Sequence, residues 1–501
     1  ITNRIGDFGF MVAMFFAFRA FGTLDYSGMF GQVNTVAVST LTVISVLLLL
    51  GAAGKSAQIP LFLWLPDAMA GPTPVSALMH AATMVTAGVY LLVRMNPVLH
   101  AASPWVLMLI AWVGAGTAFF AATIAISQRD IKKVLAYSTV SQLGYMVLAV
   151  GSGAYAAAIF HMITHAFFKA LLFLGAGSVI HAMNNEQDMD FMGKLRKFMP
   201  ITAGTFIVAW LAIAGVPPFS GMWSKGDILG AAFQKSPALW AVGFVTALLT
   251  AYYMTREVVL VFFGEQRWTE AEHDAHASAG HDEHASEGVQ QVHAHATHDA
   301  AGNPLPSGPG APHHVEHGEP QTPHESPWSM TIPLVVLAVG ATLGGLLGLP
   351  FGDKFKLLEH WLEPSTPGEV ALHLSGMKEF VLEAFTVLLT LTGIAVAWLL
   401  YTKRTRDEQR ELEPEILANG WYYDRAVTNF MGGPGRKAAD WLTYWFDRYV
   451  IDGAVNGAGR LARAIGGEGR RTQSGYVRNY ALTLAIGVVL LVGFVLVRAN
   501  F

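Results

Sequence analysis

Along the chain, runs of roughly 20 apolar residues alternate with shorter polar joints, at about 5–22, 34–56, 75–94, 104–126, 134–151, 155–181, 200–216, 237–263, 328–349, 377–401 and 479–499. A helix of roughly 20 residues covers the hydrocarbon core of a bilayer, so each run has the length of a membrane span. The pattern predicts an all-α polytopic membrane protein with about 11 transmembrane helices. Composition agrees, because a chain of 501 residues that is 53% hydrophobic and only 14% charged is too apolar for one soluble core.

Two runs are interrupted by proline. GAAGKSAQIPLFLWLPDAMAGPTP (51–74) places Lys55 ahead of Pro60, Pro66 and a Pro-Thr-Pro turn, and GVPPFSGMWSKGDILGA (215–231) places Pro217 and Pro218 ahead of Lys225 and Asp227. Proline removes a helical hydrogen bond and clashes with the preceding turn, so each stretch is predicted as two half-helices with free backbone groups between them. Such backbone is tolerated at membrane depth only when it is buried in protein or lines a wet cavity. Both breaks are therefore candidate water sites, and paired broken helices fit the repeat architecture of transporters.

Charge orients the spans. The stretches with Arg129, Lys132 and Lys133, with Lys194, Arg196 and Lys197, and with Lys403, Arg404 and Arg406 all follow spans of one parity, which makes that side cytoplasmic. On the other side, 23–33 carries only Asp25, 152–154 carries no charge, and Lys354 and Lys356 are balanced by Asp353, Glu359, Glu363 and Glu369. The net charge of −4 says nothing about partners, and no nucleic-acid partner is expected. The absence of cysteine excludes disulfides, thiolate catalysis and cysteine-held iron–sulfur or zinc centres. No signal peptide leads the chain and Ile1 stands just before a span, so the sequence is expected to begin inside a longer protein.

Against this apolar background Lys55, Lys169 and Lys225 are the costly residues, and an ionisable group at membrane depth is by default a candidate for moving charge. In AIFHMITHAFFKALLFLGAG, His161, His165 and Lys169 recur every four residues and share one helical face, about 6 Å apart along the axis. That gap requires one or two waters per step. Imidazole titrates near neutrality and suits such a relay. Lysine starts near ~10.4 and needs desolvation or a neighbouring cation to release a proton. His80, in PVSALMHAATMVTAGVYLL, adds another polar group at depth. Blander roles stand beside these. A single membrane histidine also serves as a helix–helix hydrogen-bond partner. Lysines near span ends snorkel, which fits Lys132 and Lys133 and applies equally to Lys225. Arg4 and Asp7, three apart, read as a local ion pair on one face.

Two polar regions complete the layout. Residues 264–327 hold eleven of the eighteen histidines, in runs such as HDAHASAGHDEH and HAHATH, whose irregular spacing without a fixed scaffold reads as a disordered insertion rather than a metal site. In 402–478, Trp441, Tyr444, Trp445 and Tyr449 share one face while Lys437, Arg460, Arg463, Arg470 and Arg471 supply charge, as in a helix lying along the membrane interface. GGPG (432–435) and Gly466-Gly467 argue against an unbroken rod there. The expected organisation is a translocation domain over 1–263, the polar loop 264–327, two spans in 328–401, the interfacial region 402–478 and a final anchor, 479–501.

Five runs carry a family resemblance: GKSAQIPLFLWLPDAMAGPTPVSALMHAATMVTAGVYLLVR (54–94), DIKKVLAYSTVSQLGYM (130–146), FHMITHAFFKALLFLGAGSVIH (160–181), SKGDIL (224–229) and HESPWSMTIPLVVLA (324–338). They closely resemble the antiporter-like membrane subunits of respiratory complex I. The His-Glu-Ser-Pro run and the extended C-terminal region are similar to the L-type, or chain 5, member. The resemblance implies a proton-translocating subunit of an NADH:quinone oxidoreductase, in a bacterial inner membrane, beside other membrane-arm subunits and especially the M-type one. It implies no cofactor in this chain, with flavin, iron–sulfur clusters and quinone in partner subunits. By motif, Lys55 matches the lysine of the first broken helix, Lys169 the central relay lysine, and Lys225 the lysine of the second broken helix near the exit side. His80, His161 and His165 match histidines of a hydrated central axis, and Asp7, Lys133 and Asp227 match other charged positions. The family pairs the first-break lysine with a glutamate on an earlier helix. No span before Lys55 contains one, so the carboxylate partner is expected upstream of Ile1 and these residues alone are not expected to pump. Two other functions share these features: the large subunit of a multi-subunit cation/proton antiporter, and a structural brace of the membrane arm.

Overall fold

The computed structural model describes residues 2–268, 322–349, 356–369, 376–471 and 475–499. Most of the polar loop 264–327, and with it the reading of its histidines, lies outside the described residues. The described residues are helical with no strand among them, and they divide into two units, Ile1–Trp421 and Tyr422–Phe501.

In the first unit, helix α1 is Thr2–Phe21, α2 Val38–Lys55, α3 Thr73–Arg94, α4 Pro104–Ala125, α5 Ile131–Ser152 and α6 Tyr155–Ala182. They are followed by α7 Pro200–Ala214, α8 Ser220–Lys235, α9 Pro237–Phe263, α10 Trp328–Gly348 and α11 Gly376–Lys403. Among the described helices of the whole chain, nine are long and apolar enough to cross a membrane. The pattern of apolar runs predicts two more. One is α1, which carries Arg4, Asp7 and Arg19 and so falls short on apolarity. The other is α7, whose 15 residues stop at a break and resume as α8.

Both proline-rich interruptions are breaks. α2 ends at Lys55, the chain runs through a cis Ile59–Pro60 bond, and helix resumes in short turns before α3, which contains a π-helical stretch over Ser76–Thr83. α7 ends at Ala214. Gly215 then adopts φ +88°, a left-handed conformation open to glycine, and a cis Pro217–Pro218 bond leads into α8.

α5 is the centre of the unit. Every one of its residues is buried except Lys133, and it packs against α3, α4, α6, α8 and α9. Its first turn is capped by the Asp130 carboxylate, which accepts from the Lys132 and Lys133 amides at 2.8 and 3.1 Å. The pairs Ser138–Tyr253 and Tyr145–Gly243 match rising numbers on α5 with falling numbers on α9, as does Gln128–Arg256 just ahead of α5, so these two helices are antiparallel. Leu135–Lys169 and Gln142–His161 show the same for α5 and α6.

The second unit is helical without interruption over 423–471, called α12, and ends with α13, Val477–Arg498. The glycines of α12 do not break it. Its departures from α geometry are two π-helical stretches, Met431–Gly435 across the GGPG run and Leu442–Ile451. The rings of Trp441 and Trp445 stack with centroids 5.9 Å apart, and Tyr449 follows 6.4 Å further on. The shared aromatic face is real and exposed within its unit.

Candidate functional site: a buried line of lysine and histidine

α1 and α2 cross where two residues without side chains meet. A Cβ on Gly6 would stand 2.8 Å from the Gly54 Cα. That crossing brings the residues next in sequence together, and the Lys55 Nζ lies 3.1 Å from the Asp7 carboxylate. Lys55 therefore has a carboxylate within these residues, the Asp7 side chain on α1. Asp7 keeps its local pair with Arg4 at 3.2 Å as well. Across the break, Trp64 donates its indole N–H to the Gly54 carbonyl at 2.9 Å, and its ring faces that of His80 at 6.1 Å. His80 is half-buried, and its Nδ1 has no hydrogen-bond partner among the described residues.

Lys169, His165 and His161 are fully buried on one face of α6. The Lys169 ammonium donates to the Leu135 carbonyl of α5 at 3.1 Å. The two imidazole centroids stand 6.2 Å apart, wider than a direct hydrogen bond, as the four-residue spacing requires. Neither ring nitrogen of His165 has a partner among the described residues. His161 is held on both sides, Nε2 at 3.2 Å from the Gln142 Oε1 and Nδ1 at 2.9 Å from the Ser224 hydroxyl, which also meets the Thr164 hydroxyl at 3.0 Å.

Ser224 leads directly to Lys225 of the second broken helix. Lys225 does not snorkel: it is 2% exposed, donates to the Ile213 carbonyl at 2.5 Å and lies 5.5 Å from the centre of the Tyr145 ring. Ile213 sits in the last turn of α7, where the Gly215 and Val216 amides answer the Leu211 and Ala212 carbonyls and the Ile213 carbonyl serves as the lysine's acceptor. Along α5, the contacts of Lys169, His161 and Lys225 fall at Leu135, Gln142 and Tyr145. The three stations are thus spread over about 15 Å of helix axis.

The other charged candidates stand apart from this line. Lys133 is the exposed residue of α5 and lines an open polar cleft of about 690 Å³ with Gln128, Arg129, Asp130, Glu186 and Asp188. Asp227 is half-buried on α8, two residues past Lys225. Lys132 is buried rather than snorkelling, and it ties α5 to the first break by donating to the Gly71 carbonyl at 3.2 Å.

Several polar residues of the site escaped the sequence reading. Gln142, Ser224 and Thr164 are ordinary membrane-helix residues whose role shows only in three dimensions. Arg256 and Glu257 are different, because they are adjacent charged residues inside the apolar run of α9 and both are fully buried. The criterion that singled out the lysines applies equally to them. Arg256 donates to the Glu413 carboxylate at 2.9 and 2.5 Å and to the Gln128 carbonyl at 2.7 Å. In the loop before α7, burial pushes the Asp190 carboxyl up, yet Arg406, Arg410 and Arg129 outweigh it and hold it below the usual carboxylate range.

Residues 1–250 match the family described as NADH:quinone oxidoreductase/Mrp antiporter, transmembrane region, and residues 289–415 match a second family, described as the C-terminal transmembrane region of a complex I NADH dehydrogenase chain. A relative from Picosynechococcus, NAD(P)H-quinone oxidoreductase chain 5, is 45% identical over 99% of this chain and 72% of its own length. NADH-quinone oxidoreductase subunit L of Mycobacterium tuberculosis is 40% identical over 99% of this chain and 71% of its own. Among solved structures, the Mrp complex from Dietzia superposes with a TM-score of 0.60 at 25% identity, over 99% of this chain and 46% of that one.

Proposed function

Since the chain belongs to the NADH:quinone oxidoreductase/Mrp antiporter family of membrane subunits, in its chain 5 or subunit L branch, we propose that it translocates protons in the membrane arm of an NADH:quinone oxidoreductase. The observation that carries this reading is the buried line of Lys169, His165, His161, Ser224 and Lys225, which joins the central helices to the second broken helix. Buried ionisable groups with few fixed partners are costly for a passive scaffold and suited to passing protons through intervening water. Lys55, with Asp7 across the helix crossing and His80 beyond Trp64, forms a further station at the first break. Lys133 and Asp227 act at the margins of this path. The chain works in the bacterial inner membrane beside other membrane-arm subunits, among them an M-type neighbour, and flavin, iron–sulfur and quinone chemistry belongs to the partners.

The antiporter alternative has the Mrp superposition in its favour, but at 25% identity against 45% for the chain 5 relative. Sodium-dependent transport without NADH oxidation in the purified assembly would favour that alternative, and Lys169→Ala and Lys225→Ala in the assembled complex separate the relay from a brace. Both are expected to assemble and to lower proton output per electron, measured in vesicles with NADH as donor. Unchanged output in both would remove the relay and leave the subunit as a brace.

A further inference from the structure

Glu257 is buried completely, and neither of its carboxylate oxygens has a hydrogen-bond partner among the described residues. A carboxylate stripped of water and of donors is costly unless a nearby charge answers it. Its sequence neighbour is already committed, since Arg256 gives its donors to Glu413 and to the Gln128 carbonyl. The cations near enough to answer it are Lys169 and Arg256.

Helix register places Glu257 and Lys169 at the same level of the bundle. Tyr253 donates to the Ser138 hydroxyl at 2.8 Å, and α5 and α9 are antiparallel. Glu257, one turn beyond Tyr253, therefore stands level with the turn of α5 whose Leu135 carbonyl accepts from Lys169. At this end of α9 lies the open polar cleft of about 690 Å³, lined by Gln128, whose carbonyl accepts from Arg256. The charged and titratable groups that reach Glu257, directly or through Arg256, are Lys169 from α6, Tyr253 and Arg256 from its own helix, Tyr401 from α11 and Glu413 from the segment after α11. Lys132 on α5 is turned to the Gly71 carbonyl instead.

We propose that Glu257 is a proton-exchange station between this cleft and Lys169. Its carboxylate takes up a proton arriving through cleft water, and the resulting carboxyl group passes that proton to the neutral Lys169 amine. One O–H bond breaks, one N–H bond forms, and the carboxylate is left beside an ammonium, with no other electrons moved. This assignment rests on the relay reading of Lys169.

The test uses the assembled complex with Glu257→Gln, Glu257→Asp and, in parallel, Lys169→Ala. Glu257→Gln is expected to lose proton output per electron and the pH dependence of that output. It is also expected to lose the carbonyl-stretch band of a protonated carboxyl group in redox-difference infrared spectra, and Glu257→Asp restores output. Wild-type output and pH profile in Glu257→Gln, alongside loss in Lys169→Ala, overturn this inference alone. Wild-type output in Lys169→Ala overturns the relay itself. Should Glu257→Gln not assemble, Glu257→Asp decides: retained output with a displaced pH profile supports the station, and an unmoved profile overturns it.

Discussion

At the scale of single residues, cost marks function, but only where the cost is left unanswered. Lys169 and Lys225 are legible because each is a lone cation in apolar sequence, and in the fold each donates to a backbone carbonyl. Glu257 carries the same signal, an acid inside the apolar run of α9 that is fully buried in the fold. Lys55 differs from all three, since its side chain is 41% exposed and that of Asp7 34%. A pair that open contributes about 1 kcal/mol or less to stability. Asp7→Asn is therefore expected to leave the thermal midpoint of the assembled enzyme nearly unmoved while lowering proton output per electron, because Lys55 loses its counter-charge. Wild-type output in that variant would show that Lys55 works without Asp7. No spacing rule reveals this pair, since 48 residues separate its members and only a helix crossing unites them.

At the scale of elements, proline was the readable signal and glycine the ambiguous one. Both proline-marked breaks fall where the prolines place them, because a missing N–H and a ring clash act within one turn. Glycine has no such single meaning. In α12 it is absorbed into a continuous helix, with nothing near Gly432 or Gly433 to exploit the missing side chain. At Gly6 and Gly54 its absence of side chain sets the distance between α1 and α2. Gly54→Val must force that crossing open, at a cost of about 1–3 kcal/mol for overpacking. It is expected to lower both the thermal midpoint and proton output, whereas Asp7→Asn lowers output alone. Comparing the two variants separates the packing of the crossing from the charge it positions. The same crossing pairs Lys55 with Asp7, where the sequence shows both charges but not the close approach that unites them.

At the scale of the whole molecule, the first unit is closed by charges that come from far apart in sequence. Arg410, Arg406 and Arg129 surround Asp190 at 3.1, 3.5 and 3.9 Å, and Glu413 takes Arg256, so the segment that follows α11 is clamped to the end of α9 and to the loop before α7. Because these arginines hold the Asp190 carboxyl below its ordinary value, its contribution to stability is fully present above the unfolded value near ~3.9 and is lost as pH falls through the lower folded value. Asp190→Asn removes that contribution at every pH. The expected loss is about 1–3 kcal/mol, less than for a fully buried pair, because the arginines retain some contact with solvent. Trypsin at neutral pH should then cut faster after Arg404, Arg406 and Arg410 in the variant than in the wild type. Thermal scans should show the two midpoints converging as pH drops below about 4, where the wild-type carboxylate takes up its proton. Midpoints that stay equally far apart in acid would mean that Asp190 acts through packing rather than charge. The clamp ends on Arg256, the residue beside Glu257. A loosened clamp in Asp190→Asn that left proton output intact would show that closing this end of the molecule and passing protons through it are separable tasks.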